Sequence, residues 1–224
     1  MVKAIFFDLF FTLADPRYGD ENEYDVLGIS AAEWERYAED DVLYRERALG
    51  SVKTETEIID RIAGIMPYFL SESQKQEIQK RREARMKRAF MTVDHKILDT
   101  LTVLRNKNIK IGLISNADII DSKYWNDSPL SRLFDGAVFS CDVGFLKPDI
   151  EIFKIAMNIQ KVKPEESVFV GDGGSDELYG AKRAGMKTVF SEYLERKSSD
   201  KAENIMLSAD YHINDFDKLL TIIK

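Results

Sequence analysis

The chain has 224 residues, of which 44% are hydrophobic, and a formal net charge of −7. This length allows a single large domain or a core with a smaller inserted domain, and the apolar content suffices for a buried core. The negative charge argues against nucleic-acid binding, which needs a basic surface. No apolar stretch approaches the roughly 20 residues that span a bilayer, so we expect no membrane association. The single cysteine, Cys141, excludes an intrachain disulfide and is typical of a cytoplasmic protein.

The first predicted element is a strand that ends at a carboxylate. Residues 2–7 form a short apolar run, which is typical of a strand buried on both faces, and Asp8 follows it directly. Burying an uncompensated carboxylate is costly, so we expect Asp8 to lie where water or a cation reaches it. A carboxylate is also nucleophilic at neutral pH without a general base, which makes Asp8 a candidate nucleophile.

The next segment has a different pattern. Residues 16–90 are dense in Glu, Arg, Lys, Tyr and Met and show helical periodicity without strand alternation. The clearest helices are predicted over residues 31–44 and 73–90. We therefore predict a helical domain of residues 16–90, inserted into a core of residues 1–15 and 91–224. Because this domain directly follows the segment of Asp8, we expect it to act as a lid that covers a site at Asp8.

Helices and strands alternate in the remainder of the chain. Helices are predicted over residues 94–107, 150–160, 175–184 and 215–223, with a helical or irregular stretch over 117–132. Strands are predicted over residues 109–115, 137–141, 167–171, 187–190 and 210–213, with Cys141 buried in the second of these. Strands that alternate with helices predict a parallel sheet with right-handed crossovers.

Polar side chains follow two of these later strands. Ser115 and Asn116 end the strand over 109–115, and this pair suits hydrogen bonding to an anion. Asp172 and Asp176 follow the strand over 167–171 and offer the hard oxygen ligands that Mg²⁺ prefers. Ligands of doubly wound sheets bind beyond the carboxyl ends of the strands. We therefore expect these side chains to converge on Asp8.

A loop lysine completes the candidate site. Lys147 lies in the segment Leu146-Lys147-Pro148-Asp149, and the following proline favours an extended backbone at the lysine. An ammonium group beside Asp8 would orient the carboxylate and neutralise charge on an anionic substrate. Lys147 is therefore predicted to serve the same site as Asp8.

These segments, in this order, resemble the haloacid dehalogenase-like (HAD) hydrolase superfamily. The resemblance implies an α/β fold, a Rossmann-like doubly wound parallel sheet of order 3-2-1-4-5, with residues 16–90 as a helical cap. It implies a Mg²⁺-dependent phosphatase that acts on a small phosphorylated substrate through an aspartyl-phosphate on Asp8. The implied catalytic residues are Asp8, Thr12, Ser115 and Lys147, the substrate-binding residues are Ser115 and Asn116, and the metal ligands are Asp8, the Phe10 carbonyl, Asp172 and Asp176.

The chain departs from the family pattern at Phe10. Family phosphatases carry a second aspartate there, which protonates the leaving group, and general acid catalysis of this kind contributes ~10²–10⁴-fold. One interpretation is a phosphatase of good leaving groups, or one that borrows an acid such as Asp15 or Tyr18. A second is a catalytically weak protein that binds a phosphorylated ligand. The third is a 2-haloacid dehalogenase, whose halide leaves without a proton, although Gly171-Asp172 is unusual for that class. We expect the protein to be a monomer or a homodimer.

Overall fold

The computed structural model describes residues 1–223, and a six-stranded parallel sheet runs through its centre. The strands are β1 (Ala4–Phe7), β2 (Lys110–Ser115), β3 (Gly136–Phe139), β4 (Ser167–Gly171), β5 (Lys187–Ser191) and β6 (Tyr211–Ile213). Their order is β3-β2-β1-β4-β5-β6. The predicted order 3-2-1-4-5 is confirmed. The strand predicted near the C-terminus is β6, which adds a sixth strand at the edge of the sheet.

Helices surround this sheet on both faces. They are α1 (Ala31–Ala38), α2 (Asp41–Ala48), α3 (Glu55–Ile65), α4 (Glu72–Met91), α5 (His95–Asn106), α6 (Ile119–Ser122), α7 (Ser140–Val143), α8 (Ile150–Gln160), α9 (Glu177–Arg183), α10 (Ser199–Met206) and α11 (Leu219–Ile222). No helix within residues 1–223 combines the length and apolarity needed to cross a membrane.

The position of β1 at the centre of the sheet explains why its sequence is continuously apolar. Ile5 and Phe7 pack into one hydrophobic cluster with α5 and α11, whereas Ala4 and Phe6 pack into a second cluster with α8 and α9. Alternate side chains of a strand point to opposite faces, and here both faces are covered. β1 therefore lies at the centre of the sheet, with β2 and β4 as its hydrogen-bonded neighbours.

The helices α1 to α4 enclose a third hydrophobic cluster, which includes Trp34, Ile58 and Ile78. The helix predicted over residues 73–90 is confirmed as α4, whose N-terminus is capped by Ser71. The single helix predicted over residues 31–44 is wrong, because Asp40 interrupts it. The Asp40 side chain accepts hydrogen bonds from the first backbone amides of α2 and so starts a new helix. The division at residues 16–90 stays our proposal.

The helical segment and the sheet-containing part pack closely together. α4 contributes Ile78 to the third cluster, but its last turn places Phe90 in the same cluster as β1. Gly50, at φ +74°, approaches the backbone of Cys141 so closely that an added Cβ would lie 2.0 Å from the carbonyl oxygen. The two parts therefore meet along a seam that leaves no room for a side chain at Gly50.

The segment after β3 differs from its prediction. The strand ends at Phe139, and Ser140–Val143 forms the short helix α7, so Cys141 is partly buried in a helical turn rather than buried in a strand. The reason is Ser140, whose hydroxyl accepts from the backbone N–H of Ala117 and donates to its carbonyl. These side-chain hydrogen bonds replace strand pairing and turn the chain out of the sheet.

Candidate active site

Asp8 lies at the carboxyl end of β1 and is 6% exposed. Its Oδ2 accepts a hydrogen bond from the hydroxyl of Thr12 at 3.1 Å, and its Oδ1 lies 2.5 Å from the ammonium nitrogen of Lys147. Burial raises the pKa of Asp8, and the positive charge of Lys147 opposes that rise. The carboxylate is therefore held in one orientation by two partners, as a nucleophile requires.

Lys147 bridges two buried carboxylates. Its Nζ lies 2.5 Å from Asp8 and 2.5 Å from Glu177, and its side chain is 2% exposed. Burial alone would lower the pKa of Lys147, but the two adjacent carboxylates raise it above its usual value. Asn116 fixes the loop, because its side-chain amide accepts from the backbone N–H of Lys147 at 2.8 Å and donates to the Lys147 carbonyl at 3.1 Å.

Three carboxylates converge beside Lys147. Asp8, Asp172 and Glu177 are all buried, and each places one oxygen within 4.8 Å of the others. Burial, together with the charge of Asp8, raises the pKa of Glu177 well above its usual range. Close, buried carboxylates repel one another, and a divalent cation relieves that repulsion. The donor set, which consists of hard oxygens, fits Mg²⁺.

Glu177 takes the place in this group that the sequence suggested for Asp176. Ser175 and Asp176 have left-handed φ values of 52° and 50°, so the chain reverses before α9 begins at Glu177. As a result, Asp176 is exposed and Glu177 points to Lys147. Gly171 makes room for this arrangement, because a Cβ there would lie 2.0 Å from a Glu177 carboxylate oxygen. The sequence does not predict these two consecutive left-handed residues.

The other predicted site residues lie around this centre. Asn116 lines the pocket, whereas Ser115 is fully buried at the end of β2 and its hydroxyl donates weakly, at 3.4 Å, to the Asn116 carbonyl. Phe10 lines the pocket with an aromatic ring that packs edge-on against Phe90 at 6.4 Å between centroids. Tyr18 also lines the pocket. Asp15 instead is exposed and pairs with Arg17.

A cavity of about 780 Å³ lies above Asp8, between the carboxyl ends of the central strands and helices α1, α2 and α4. The helices contribute Tyr44, Arg47 and Arg82 to its wall. Tyr44 lies near Asn116, and burial raises the pKa of its phenol above the usual value. The floor of the cavity therefore carries the carboxylates of Asp8, Asp172 and Glu177 with the Lys147 ammonium group, and the roof carries phenol, guanidinium and, from Glu35 and Glu39, carboxylate groups.

Two of the roof arginines belong to a buried ionic network that the sequence did not single out. Arg47 Nε lies 3.0 Å from Asp118, and Arg82 lies 2.8 Å from Asp118 and 3.0 Å from Asp121. The arginines are 3% exposed and Asp118 is 1% exposed. Asp118 follows Asn116 by two residues and caps α6. The network thus joins the helical segment to the loop that holds Asn116.

Curated relatives match part of this chain. A glyceraldehyde 3-phosphate phosphatase of Methanothermobacter thermautotrophicus is 38% identical over 94 residues, which cover 41% of this chain and 41% of the relative. The enzyme of the same name from Pyrococcus furiosus is 34% identical over 128 residues, which cover 56% of this chain and 52% of the relative. The match thus spans about half the length of these relatives or less.

Solved structures match over nearly the whole chain and show the same fold. A dehalogenase superposes with a TM-score of 0.69 at 19% identity, covering 99% of this chain and 97% of the other. An HAD family enzyme of Bacteroides thetaiotaomicron, in complex with magnesium and inorganic phosphate, superposes with a TM-score of 0.68 at 21% identity, covering 89% and 98%. The family model described as haloacid dehalogenase-like hydrolase matches residues 2–185. The chain therefore belongs to the haloacid dehalogenase-like hydrolase family.

Proposed function

We propose that this protein is a Mg²⁺-dependent phosphatase that hydrolyses a small phosphorylated metabolite through an aspartyl-phosphate on Asp8. The observation that carries the proposal is the orientation of Asp8 at the floor of the cavity, with one carboxylate oxygen held by Thr12 and the other by Lys147. The phosphatase names of the curated relatives support the same reaction class.

The residues at the floor divide the chemistry between them. Asp8 attacks phosphorus while the bond between phosphorus and the leaving oxygen breaks. The leaving oxygen departs with the bonding electron pair and takes its proton from water. Water then attacks the phosphoryl group, which releases inorganic phosphate and restores the Asp8 carboxylate. In this scheme Lys147 neutralises charge on the phosphoryl group and Asn116 donates a hydrogen bond to one of its oxygens. Ser115, fully buried beneath, positions Asn116 in this scheme.

Asp8, Asp172 and Glu177 would hold the metal, with the Phe10 carbonyl that the family resemblance implies. A bound Mg²⁺ neutralises the repulsion between an anionic nucleophile and an anionic phosphoryl group. The buried position of all three carboxylates is the feature of this chain that suits the ion. Asp176, which is exposed, takes no part in this ligand set.

The substrate we propose has a leaving group that needs little protonation, such as an acyl or aryl phosphate. Phe10 lines the cavity that contains Asp8, and its side chain has no proton to give. Tyr18 lines the same cavity and is the candidate that we retain for a borrowed acid, but burial raises its pKa and weakens it in that role. Asp15 is discarded, because it is exposed and paired with Arg17.

The relatives suggest where to begin a substrate screen. A triose phosphate belongs in the first panel because two of them are named glyceraldehyde 3-phosphate phosphatases. A cavity of about 780 Å³ accommodates such a small molecule readily. We propose a cytoplasmic location from the single free cysteine, and a monomer or homodimer as the working unit.

The test is steady-state hydrolysis of acetyl phosphate and p-nitrophenyl phosphate, with Mg²⁺ and with EDTA, for the wild type and Asp8→Asn. We expect Mg²⁺-dependent turnover that the variant loses, because an amide is not nucleophilic. Turnover that persists in folded Asp8→Asn would contradict the aspartyl-phosphate. Chloride release from 2-chloropropionate in EDTA would support the dehalogenase interpretation instead. Binding of phosphate without any turnover would support a phospho-ligand sensor.

A further inference from the structure

Lys197 lies beside Asp172, one of the residues that we propose hold the metal, although the family motifs quoted above do not include Lys197. It belongs to the loop between β5 and α10, and its Nζ lies 2.5 Å from Oδ2 of Asp172. The same ammonium pairs with Glu195, and the side chain is 15% exposed. The backbone N–H of Lys197 donates to Glu192 at 2.8 Å, which fixes the loop. Lys197 is therefore a held, partly buried counter-ion of Asp172.

Asp172 has both carboxylate oxygens engaged. Oδ1 accepts from the backbone N–H of Gly174 at 3.0 Å, and Oδ2 accepts from Lys197. The floor contains three carboxylates, those of Asp8, Asp172 and Glu177, and two ammonium groups, those of Lys147 and Lys197. With every group ionised these five groups sum to −1. Glu195, which pairs with Lys197, brings the sum to −2, and a divalent cation changes it to 0.

We propose that Lys197 is an internal competitor of the divalent cation at Asp172 and sets the affinity of the metal site. The inference rests on the proposed function, since it concerns the same metal site. A cation that is bound to Asp172 and another that approaches it repel each other, and the repulsion is strong at a partly buried site, where screening by water is weak. Lys197 must leave Oδ2 or share Asp172, and either course weakens metal binding.

The opposite role makes the opposite prediction. If Lys197 oriented Asp172 in favour of the metal, as hydrogen bonds to metal ligands commonly do, its removal would lower metal affinity about 10- to 100-fold. If Lys197 competes, removal of its charge raises metal affinity. The sign of the change in Mg²⁺ affinity therefore separates the two roles.

The experiment is isothermal titration of MgCl₂ into the metal-stripped full chain. We expect Lys197→Met to lower the Mg²⁺ Kd by about tenfold or more, from the loss of a like charge beside the ion. Lys197→Arg keeps the charge and should stay near the wild type. Lys201→Met is the matched control, because it removes the same charge from an exposed position on α10. A Kd for Lys197→Met that equals that of Lys201→Met, or exceeds the wild-type Kd, overturns the inference.

Thermal denaturation supplies a second readout. In EDTA, Lys197→Met should melt below Lys201→Met, because Asp172 loses its counter-ion, and Mg²⁺ should raise the melting temperature of Lys197→Met more than that of the wild type. Lys197→Gln replaces Lys197→Met if the latter does not fold. If neither the wild type nor the Lys197 variant binds Mg²⁺, the proposed metal site falls together with the inference. If the wild type binds Mg²⁺ and the variant binds no more tightly, only the inference falls.

Discussion

At the scale of single residues, the floor is a balance of buried charges, and Phe10 is one of the apolar side chains that line the same cavity. Asp8, Asp172 and Glu177 are compensated by lysines at 2.5 Å, whereas Phe10 contributes only an apolar ring to the same cavity. A proton donor at position 10 would face the same cavity. The identity of this one side chain therefore decides which leaving groups the proposed reaction tolerates.

Replacing Phe10 with aspartate should restore general acid catalysis. We expect Phe10→Asp to raise kcat on an alkyl phosphate, such as glycerol 3-phosphate, by up to ~10²–10⁴-fold, and to change acetyl phosphate turnover little. The measurement is steady-state phosphate release with Mg²⁺. Phe10→Asn is the control, since it loses the same packing against Phe90 but transfers no proton. Equal rates for the two variants, both folded, would show that position 10 is not the missing acid.

Sequence patterns predict some of the residues of this site. Asp8, Asn116 and Asp172 follow buried strands, and the carboxyl ends of parallel strands meet, so their convergence was predictable. Glu177 was not, because its orientation depends on left-handed residues that are neither glycine nor asparagine. Lys197 was equally hidden, since the loop that carries it has no strand pattern and its pairing spans 25 residues.

Cys141 should be a slow nucleophile in the native protein. Burial raises its pKa from 9.0 to about 11. The thiolate is the reactive form. At pH 8 a shift of two units makes it about 100-fold scarcer than in the unfolded chain. Iodoacetamide labelling of native protein should therefore be about 100-fold slower than in urea, and its rate should increase about tenfold per pH unit until the pH nears 11. Native labelling at pH 8 as fast as in urea would contradict this environment.

At the scale of elements, α4 connects the two parts of the molecule. Its capped N-terminus lies in the helical segment, Arg82 faces Asp118 and Asp121 at its middle, and Phe90 packs against the sheet at its end. The helical period predicted α4 itself. It did not predict the network at the middle, because a dense run of Lys and Arg normally marks a solvated face. Arg82 departs from that rule, with its partner Asp118 36 residues away.

Loss of Arg82 should be strongly destabilising. Arg82→Met leaves Asp118 and Asp121 buried with one cation fewer, which costs about 3–5 kcal/mol for pairs of this kind. Lys80→Met is the control on the same helix, because Lys80 is 77% exposed and its ion pair with Glu77 is screened by water. Urea unfolding measures both. If Arg82→Met has the same free energy of unfolding as Lys80→Met, the buried network does not stabilise the fold through charge compensation.

At the scale of the whole molecule, the cavity exists only where both parts meet. Its floor comes from residues at strand ends and its roof from α2 and α4, with the network of Arg47, Arg82, Asp118 and Asp121 between them. Separating the parts requires these charges to be hydrated and Gly50 to leave the backbone of Cys141. Sequence patterns distinguished a helical segment from an alternating one, but the contacts that join them are long-range and leave no local pattern. We therefore expect the parts to unfold together.

The two tryptophans allow this coupling to be measured. Trp34 is buried among the helices α1 to α4, and Trp125 is buried in the cluster of β1. Trp125→Phe leaves a probe of the helical segment, and Trp34→Phe leaves a probe of the sheet-containing part. In each variant we expect the urea midpoint from fluorescence to coincide with that from circular dichroism, as in a two-state transition.

Adding Arg82→Met to the Trp125→Phe protein should uncouple the two parts. Because the buried network is then broken, the Trp34 fluorescence should change at lower urea than the circular dichroism, and the Lys80→Met control should keep the two midpoints together. Trp34 fluorescence that already precedes the circular dichroism without Arg82→Met would mean that the helical segment unfolds independently. The seam would then be a contact surface rather than the connection that holds the cavity together.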